Sequence, residues 1–171
     1  LMLPMFTSIE ELRYVEDLID GRVQFWPLVE TIEACVVVSK PELRSLRIDR
    51  FHFGLNDLHL KLDNRFIFSS LLDPRVTDAL DSIKASGIPF GLGGVSKLDQ
   101  GALLGADVLN LNFLLGSSAV ILSQEFRRNS ENDSLVSSVA ARREYWSGLP
   151  EYNQVEVNRR LADIVKKIRA V

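Results

Sequence analysis

IDRFHFGLND, running from Ile48 to Asp57, decides the fold. Ile48 to Leu55 is a short, mostly apolar run that stops at two turn formers, Asn56 and Asp57, the pattern of a buried strand. The chain on either side repeats that pattern. Before it, Val23 to Val29 is a second run ending in Glu30-Thr31, and Thr31 is placed to cap a helix reaching about Ser39 before Pro41 breaks the chain. Earlier still, Leu1 to Phe6 leads to Ser8 and Glu11 at capping-box spacing. The helix that starts there runs to about Ile19 on Leu12, Val15 and Leu18, and Asp20-Gly21 ends it.

Beyond Asp57 comes a mixed segment holding Leu58 to Leu62 and Phe66 to Leu72. A helix is predicted from Pro74 to Ser86, buried through Val76, Ala79, Leu80 and Ile83 and closed by Gly87. Ile88 to Val95 is the fourth run. A short helix near Asp99 to Leu104 and a fifth strand over Asp107 to Leu115, closed by Gly116-Ser117-Ser118, complete the series. A helix over Ala119 to Phe126, a polar loop over Asn129 to Ser138, and a tail helix from about Gln154 to Val171 are expected after that. The tail carries an apolar stripe of Val157, Leu161, Ile164, Val165 and Ile168, which needs a surface to cover in this subunit or a neighbour.

Strand, turn and helix repeated without hairpin signals imply parallel strands joined by crossover helices. The predicted class is α/β, with five strands forming an open sheet or most of a barrel. A net charge of -3 gives no electrostatic case for nucleic acid or an anionic membrane, and no apolar run reaches the ~18 residues that span a bilayer. The single cysteine, Cys35, excludes an internal disulfide and a zinc cluster, so a cytoplasmic setting is expected. Leu1 opens directly into an apolar run, which suggests that the sequence starts inside a larger protein.

Ligands of parallel α/β proteins sit at the carboxyl ends of the strands. There the sequence places Pro4 and Met5, Glu30, Asn56 and Asp57, Gly93 and Gly94, and Asn112 to Ser118. Glu30 and Asp57 lie 27 positions apart, about one βα unit, so each would end one of two neighbouring strands. With strands ~4.8 Å apart, both carboxylates reach one hard cation, for which oxygen ligands favour Mg²⁺ or Mn²⁺ over zinc. The same residues also fit a helix N-cap aspartate and a solvated glutamate.

PLVET (Pro27 to Thr31) and FHFGLNDLHLKL (Phe51 to Leu62) resemble the metal-binding segments of the HpcH/HpaI aldolase and citrate lyase beta-subunit family. LPMF (Leu3 to Phe6) is similar to the strand that precedes them. GIPFGLGGV (Gly87 to Val95) and LLGSSAVILS (Leu114 to Ser123) resemble the last two strands of an aldolase-like branch. The likeness covers roughly Leu1 to Phe126 and implies a TIM-type (β/α)₈ barrel of the phosphoenolpyruvate/pyruvate superfamily. Residues 1–126 would supply its last five βα units, and 127–171 a loop and helix packing on the barrel or a neighbouring subunit. Glu30 and Asp57 would hold the metal. The three preceding strands of such a barrel, and the arginine that binds the pyruvyl oxygens, have no counterpart in this sequence.

The resemblance implies an aldolase or lyase that makes or breaks a C–C bond next to a pyruvate-type unit, with the cation acting as Lewis acid. Its substrate would be a small 2-oxo acid or acyl compound, and the protein a homo-oligomer. The backbone N–H groups of Leu55, Asn56 and Asp57, at a helix N-terminus, are placed to bind the substrate carboxylate, with Pro4 beside them. His59, two residues after Asp57, and Asn112, near the top of the last predicted strand, are the candidate catalytic side chains; His52, mid-strand, reads as structural. Two other functions fit parts of the pattern. One is a non-catalytic barrel domain that binds a ligand or partner. The other is the phosphoenolpyruvate-using branch, for which Cys35 is poorly placed.

Overall fold

The computed structural model describes residues 1–96, 98–99, 101–123, 126 and 135–171. It is an α/β architecture with a five-stranded parallel sheet in the order β1-β2-β3-β4-β5, so strands adjacent in sequence are adjacent in space. The chain forms two compact units, Leu1–Gly93 and Gly94–Val171.

In the first unit, β1 (Met2–Leu3), β2 (Trp26–Val29), β3 (Phe51–Phe53) and the start of β4 (Phe90–Val95) pair in parallel. All four strands are shorter than the apolar runs that predict them. Their connections are α1 (Ile9–Ile19), α2 (Ile32–Val37) and a 3₁₀ turn (Pro41–Ser45), and then α3 (Leu55–Lys61), a 3₁₀ turn (Ile67–Leu72) and α4 (Pro74–Ser86). The start signals act as expected. Ser8 Oγ accepts the Glu11 N–H at 3.2 Å, while the Glu11 carboxylate reaches back to the Thr7 N–H at 2.7 Å. Asp73 caps α4 through the Arg75 N–H, Pro74 occupies its first turn, and Gly87 ends it with φ 75°. Val76, Ala79, Leu80 and Ile83 are buried, as their spacing predicts. The core of this unit gathers Phe6, Leu12, Phe25, Phe51, Phe53 and Leu92, with Phe53 and Phe90 edge to face at 6.3 Å. Trp26 is only half-buried and stacks under the Arg50 guanidinium at 4.8 Å.

The second unit departs from expectation. Asp107 to Leu115 is not a strand: α5 spans Gly105–Leu115, and β5 is Ala119–Leu122, where a helix was predicted. A continuous apolar run carries no period that separates a buried strand from a buried helix. The deciding residues flank it. Gly116 takes φ 80°, ψ 18°, a left-handed C-cap that residues with a Cβ adopt at a cost, and the Ser117 N–H donates back to the Asn112 carbonyl at 2.9 Å. Ala119 to Leu122, with two β-branched residues, then suits a strand. Leu135 to Ser138, placed in a polar loop by the sequence, begins α6 (Leu135–Ser147); 129–134 lie outside the described residues, as does most of 119–126 beyond Ser123. The tail helix is α7 (Gln154–Arg169), and its stripe is partly covered within the chain, with Val157, Leu161 and Val165 half-buried. Ile164 and Ile168 are buried, α7 packs on α5, and Lys167 Nζ meets Asp107 at 2.7 Å. No helix among the described residues is long and apolar enough to cross a membrane.

Candidate two-carboxylate site

Glu30 is the first residue after β2, and the backbone is pinned on both sides of it. Val29 pairs with Phe53 in the sheet. Thr31 caps α2 by accepting the Ala34 N–H at 2.9 Å, and its hydroxyl donates to the Phe6 carbonyl at 3.1 Å. Counting on from the pairing of Leu3 with Pro27 brings the chain after β1 alongside Glu30. There Met5 donates its N–H to Glu30 Oε1 at 2.9 Å. Met5 does so with φ 54°, left-handed backbone that costs a residue with a Cβ about 1–2 kcal/mol.

Gly54 follows β3 and donates its N–H to the Val29 carbonyl at 3.0 Å. A Cβ at this position would stand 2.6 Å from Glu30 Oε2 and 2.8 Å from Glu30 Cβ. Its dihedrals, φ -83° and ψ 78°, are open to any residue, so the requirement for glycine is space. Asp57 lies in the first turn of α3, half-buried, its own N–H turned to the Gly54 carbonyl at 3.2 Å.

The electrostatics follow from this packing. Glu30 is 5% exposed. Burial raises its pKa above the ordinary carboxylate value and the negative charge of Asp57 adds to the rise, while the Met5 N–H opposes both. A buried acid whose ionisation a second acid opposes is a good fit for a divalent cation, which reverses the sign of the interaction. The donor set, two hard carboxylates from neighbouring βα units, suits Mg²⁺ or Mn²⁺. No group of three or more His, Cys, Asp or Glu side chains placed to share a metal occurs among the described residues.

The remaining sequence candidates separate. Pro4 is exposed and immediately precedes Met5. Leu55 and Asn56 open α3, where their N–H groups have no carbonyl one turn back; the Leu55 side chain is buried and Asn56 is exposed. His59 sits two positions beyond Asp57, and residues so spaced do not share a helix face. Its ring Nδ1 turns to the Asn56 carbonyl oxygen. Asn112 was expected at a strand end but is buried in α5 of the second unit, its Nδ2 donating to the Val108 carbonyl at 2.9 Å. Its Oδ1 has no hydrogen-bond partner among the described residues. His52 is 2% exposed in β3, a structural position. Cys35 is buried in α2, and desolvation, with Asp73 adding, pushes its thiol up to about 12, which makes it a poor nucleophile.

The sequence places Met5 at the end of the first run but does not show what it does there, and Gly54 was not singled out. Met5 acts through its backbone, which leaves no trace in residue type. Gly54 has a signal, a glycine directly after a strand and three residues before the aspartate, which marks a close approach. No protein-family model and no curated protein matches the chain.

Proposed function

We propose that this chain carries the metal site of a divalent-cation-dependent aldolase or lyase, built on a β/α barrel to which the five strands belong. The observation that carries the reading is Glu30, a buried carboxylate held by the Met5 amide at 2.9 Å while Asp57 in the next βα unit raises its pKa. A group so placed is costly to keep ionised unless a cation compensates it. Glu30 and Asp57 would hold Mg²⁺ or Mn²⁺, which supplies Lewis-acid stabilisation of negative charge developing on the keto oxygen of a 2-oxo acid or related acyl substrate.

The chain's own residues have distinct parts in this reading. Glu30 and Asp57 serve as ligands and so are unsuited to moving the substrate proton. The N–H groups of Leu55 and Asn56, in the first turn of α3 just before Asp57, offer donors to a substrate carboxylate, and Pro4 lies beside Met5 at the end of β1. The His59 ring is engaged with its own helix, so a proton-transfer role would require it to turn. By family likeness the protein is a cytoplasmic homo-oligomer.

Calorimetric titration with Mn²⁺, with and without oxalate, tests the reading on wild type and Asp57→Ala. Binding that oxalate strengthens and the substitution abolishes is expected. A wild-type chain that takes up no cation would overturn the reading.

A further inference from the structure

In the second unit, Asn153 caps α7 by accepting the Glu156 N–H at 3.0 Å, and the Val157 N–H donates to the Asn153 carbonyl at 3.0 Å. These bonds fix the chain where Glu151 and Tyr152 lead into the helix. Phe113 of α5 meets two rings edge to face, Trp146 of α6 at 5.5 Å and 78° and Tyr152 at 6.1 Å and 86°. Beside them lies a cavity of about 320 Å³ lined by Phe113, Leu114, Glu151, Tyr152 and Val157. Its wall is apolar and aromatic but for one carboxylate, that of Glu151. Glu151 is exposed and makes no hydrogen bond or ion pair among the described residues. Glu156, by contrast, is engaged by Arg159 and by Arg160, each at 2.7 Å. The Arg160 guanidinium stacks over the Tyr152 ring at 4.3 Å, and its charge is answered there by Glu156 rather than by Glu151.

We propose that this cavity binds an alkylated ammonium group, held by the rings of Phe113 and Tyr152 and by the charge of Glu151. The face of an aromatic ring carries the negative part of its quadrupole and attracts a cation placed over it. Arg160 already uses the Tyr152 ring in this way. The nearly perpendicular Phe113 and Tyr152 rings give one guest walls in two directions. A primary ammonium brings three N–H donors, and of the lining side chains only the Glu151 carboxylate and the Tyr152 hydroxyl can accept. A quaternary ammonium brings no donor, so it leaves none unpaired against an apolar wall. The volume lies at the lower end of the ~300–1,000 Å³ range of ligand pockets, which suits a small head group. Such a group occurs on a free quaternary amino alcohol or on a trimethylated lysine side chain. The site shares no residue with the two-carboxylate site.

NMR titration of the full chain with tetramethylammonium chloride, with sodium chloride at matched ionic strength as the blank, tests this. Shifts are expected at the side chains of Phe113, Trp146 and Tyr152, with Kd of ~1 mM or tighter. A neutral probe of similar shape, tert-butanol, should bind ~tenfold or more weakly. Equal affinity for the two probes would mark a merely apolar hollow and overturn the proposal. Tetramethylammonium shifts that bypass these three rings, or none up to ~10 mM, overturn it as well. Tyr152→Leu should weaken binding by ~fivefold or more. Glu151→Gln changes only an exposed side chain, so it decides the matter if Tyr152→Leu does not fold; it should weaken binding by ~threefold. Affinity equal to wild type in either folded variant overturns the site. A trimethyllysine peptide that binds more tightly than a quaternary amino alcohol identifies a protein side chain as the source of the group, and the reverse order identifies a free small molecule.

Discussion

His52 shows what one buried position does to a titration. Its ring is 2% exposed in β3, and desolvation brings its pKa down to about 4, with Arg50 adding and a backbone contact from Gly93 opposing. In the unfolded chain the ring takes its proton near its ordinary value of 6.5. As pH falls through the interval between 6.5 and about 4, the unfolded state therefore binds the extra proton and gains on the folded one. His52's contribution is fully present above the upper value and is lost toward the lower. At 1.36 kcal/mol per pH unit the interval corresponds to about 3 kcal/mol. Urea denaturation at pH 7.5 and pH 4.5 should show wild type losing more stability on acidification than His52→Leu, by most of that amount. Equal losses in the two proteins would show that His52 is not desolvated in the fold. Glu30 illustrates the opposite sign, a carboxylate whose neutral form the fold favours, and its burial beside a second acid makes it the strongest functional signal in the chain.

At the scale of elements, end signals decide what the sequence makes legible. Ser8 and Thr31 accept from the backbone N–H three residues on, as their types and spacing predict. The exposed cap, Ser8→Ala, should cost about 1 kcal/mol in chemical denaturation. Thr31→Ala should cost more, about 2 kcal/mol or above, because the Thr31 hydroxyl is buried and also donates to the Phe6 carbonyl; equal costs would mean that the second bond contributes nothing. Where such signals fail, so does the reading. Asp107 to Leu115 has neither a capping side chain nor a polar face, so it passes equally well for a strand, and Gly116, which ends α5, is equally at home after a strand. α6 was missed for a related reason: Ser138 is its only fully buried residue, so its apolar positions mark out no face. The site divides the same way. Glu30 and Asp57 announce themselves by charge and by spacing of one βα unit. The Met5 amide that orients Glu30 is invisible in a string of side chains, and Asn112 was misplaced because its element was.

For the molecule as a whole, two compact units make stability a local quantity. In the second unit Ile168, 2% exposed, lies on the α7 stripe against α5. Ile168→Ala should therefore cost about 2–5 kcal/mol. The ion pair of Lys167 and Asp107 on the same helices, with the lysine half exposed, should matter little. The candidate cation site belongs entirely to Leu1–Gly93, since β1, β2, β3 and α3 supply all of its residues. A ligand that binds only the folded state stabilises it by RT ln(1 + [L]/Kd), about 2.7 kcal/mol at a hundredfold excess over Kd. Hydrogen exchange in saturating Mg²⁺ should then slow the amides of Trp26–Val29, Phe51–Phe53 and Leu55–Lys61 by up to ~100-fold relative to metal-free protein. Glu30→Gln should abolish the effect. Met5 gives the most specific readout, because its N–H is bonded to Glu30 itself and opens only when that side chain moves. If Mg²⁺ slows exchange in the two units of wild type equally, they unfold as one. If it slows none of these amides, the pair of carboxylates is not a cation site.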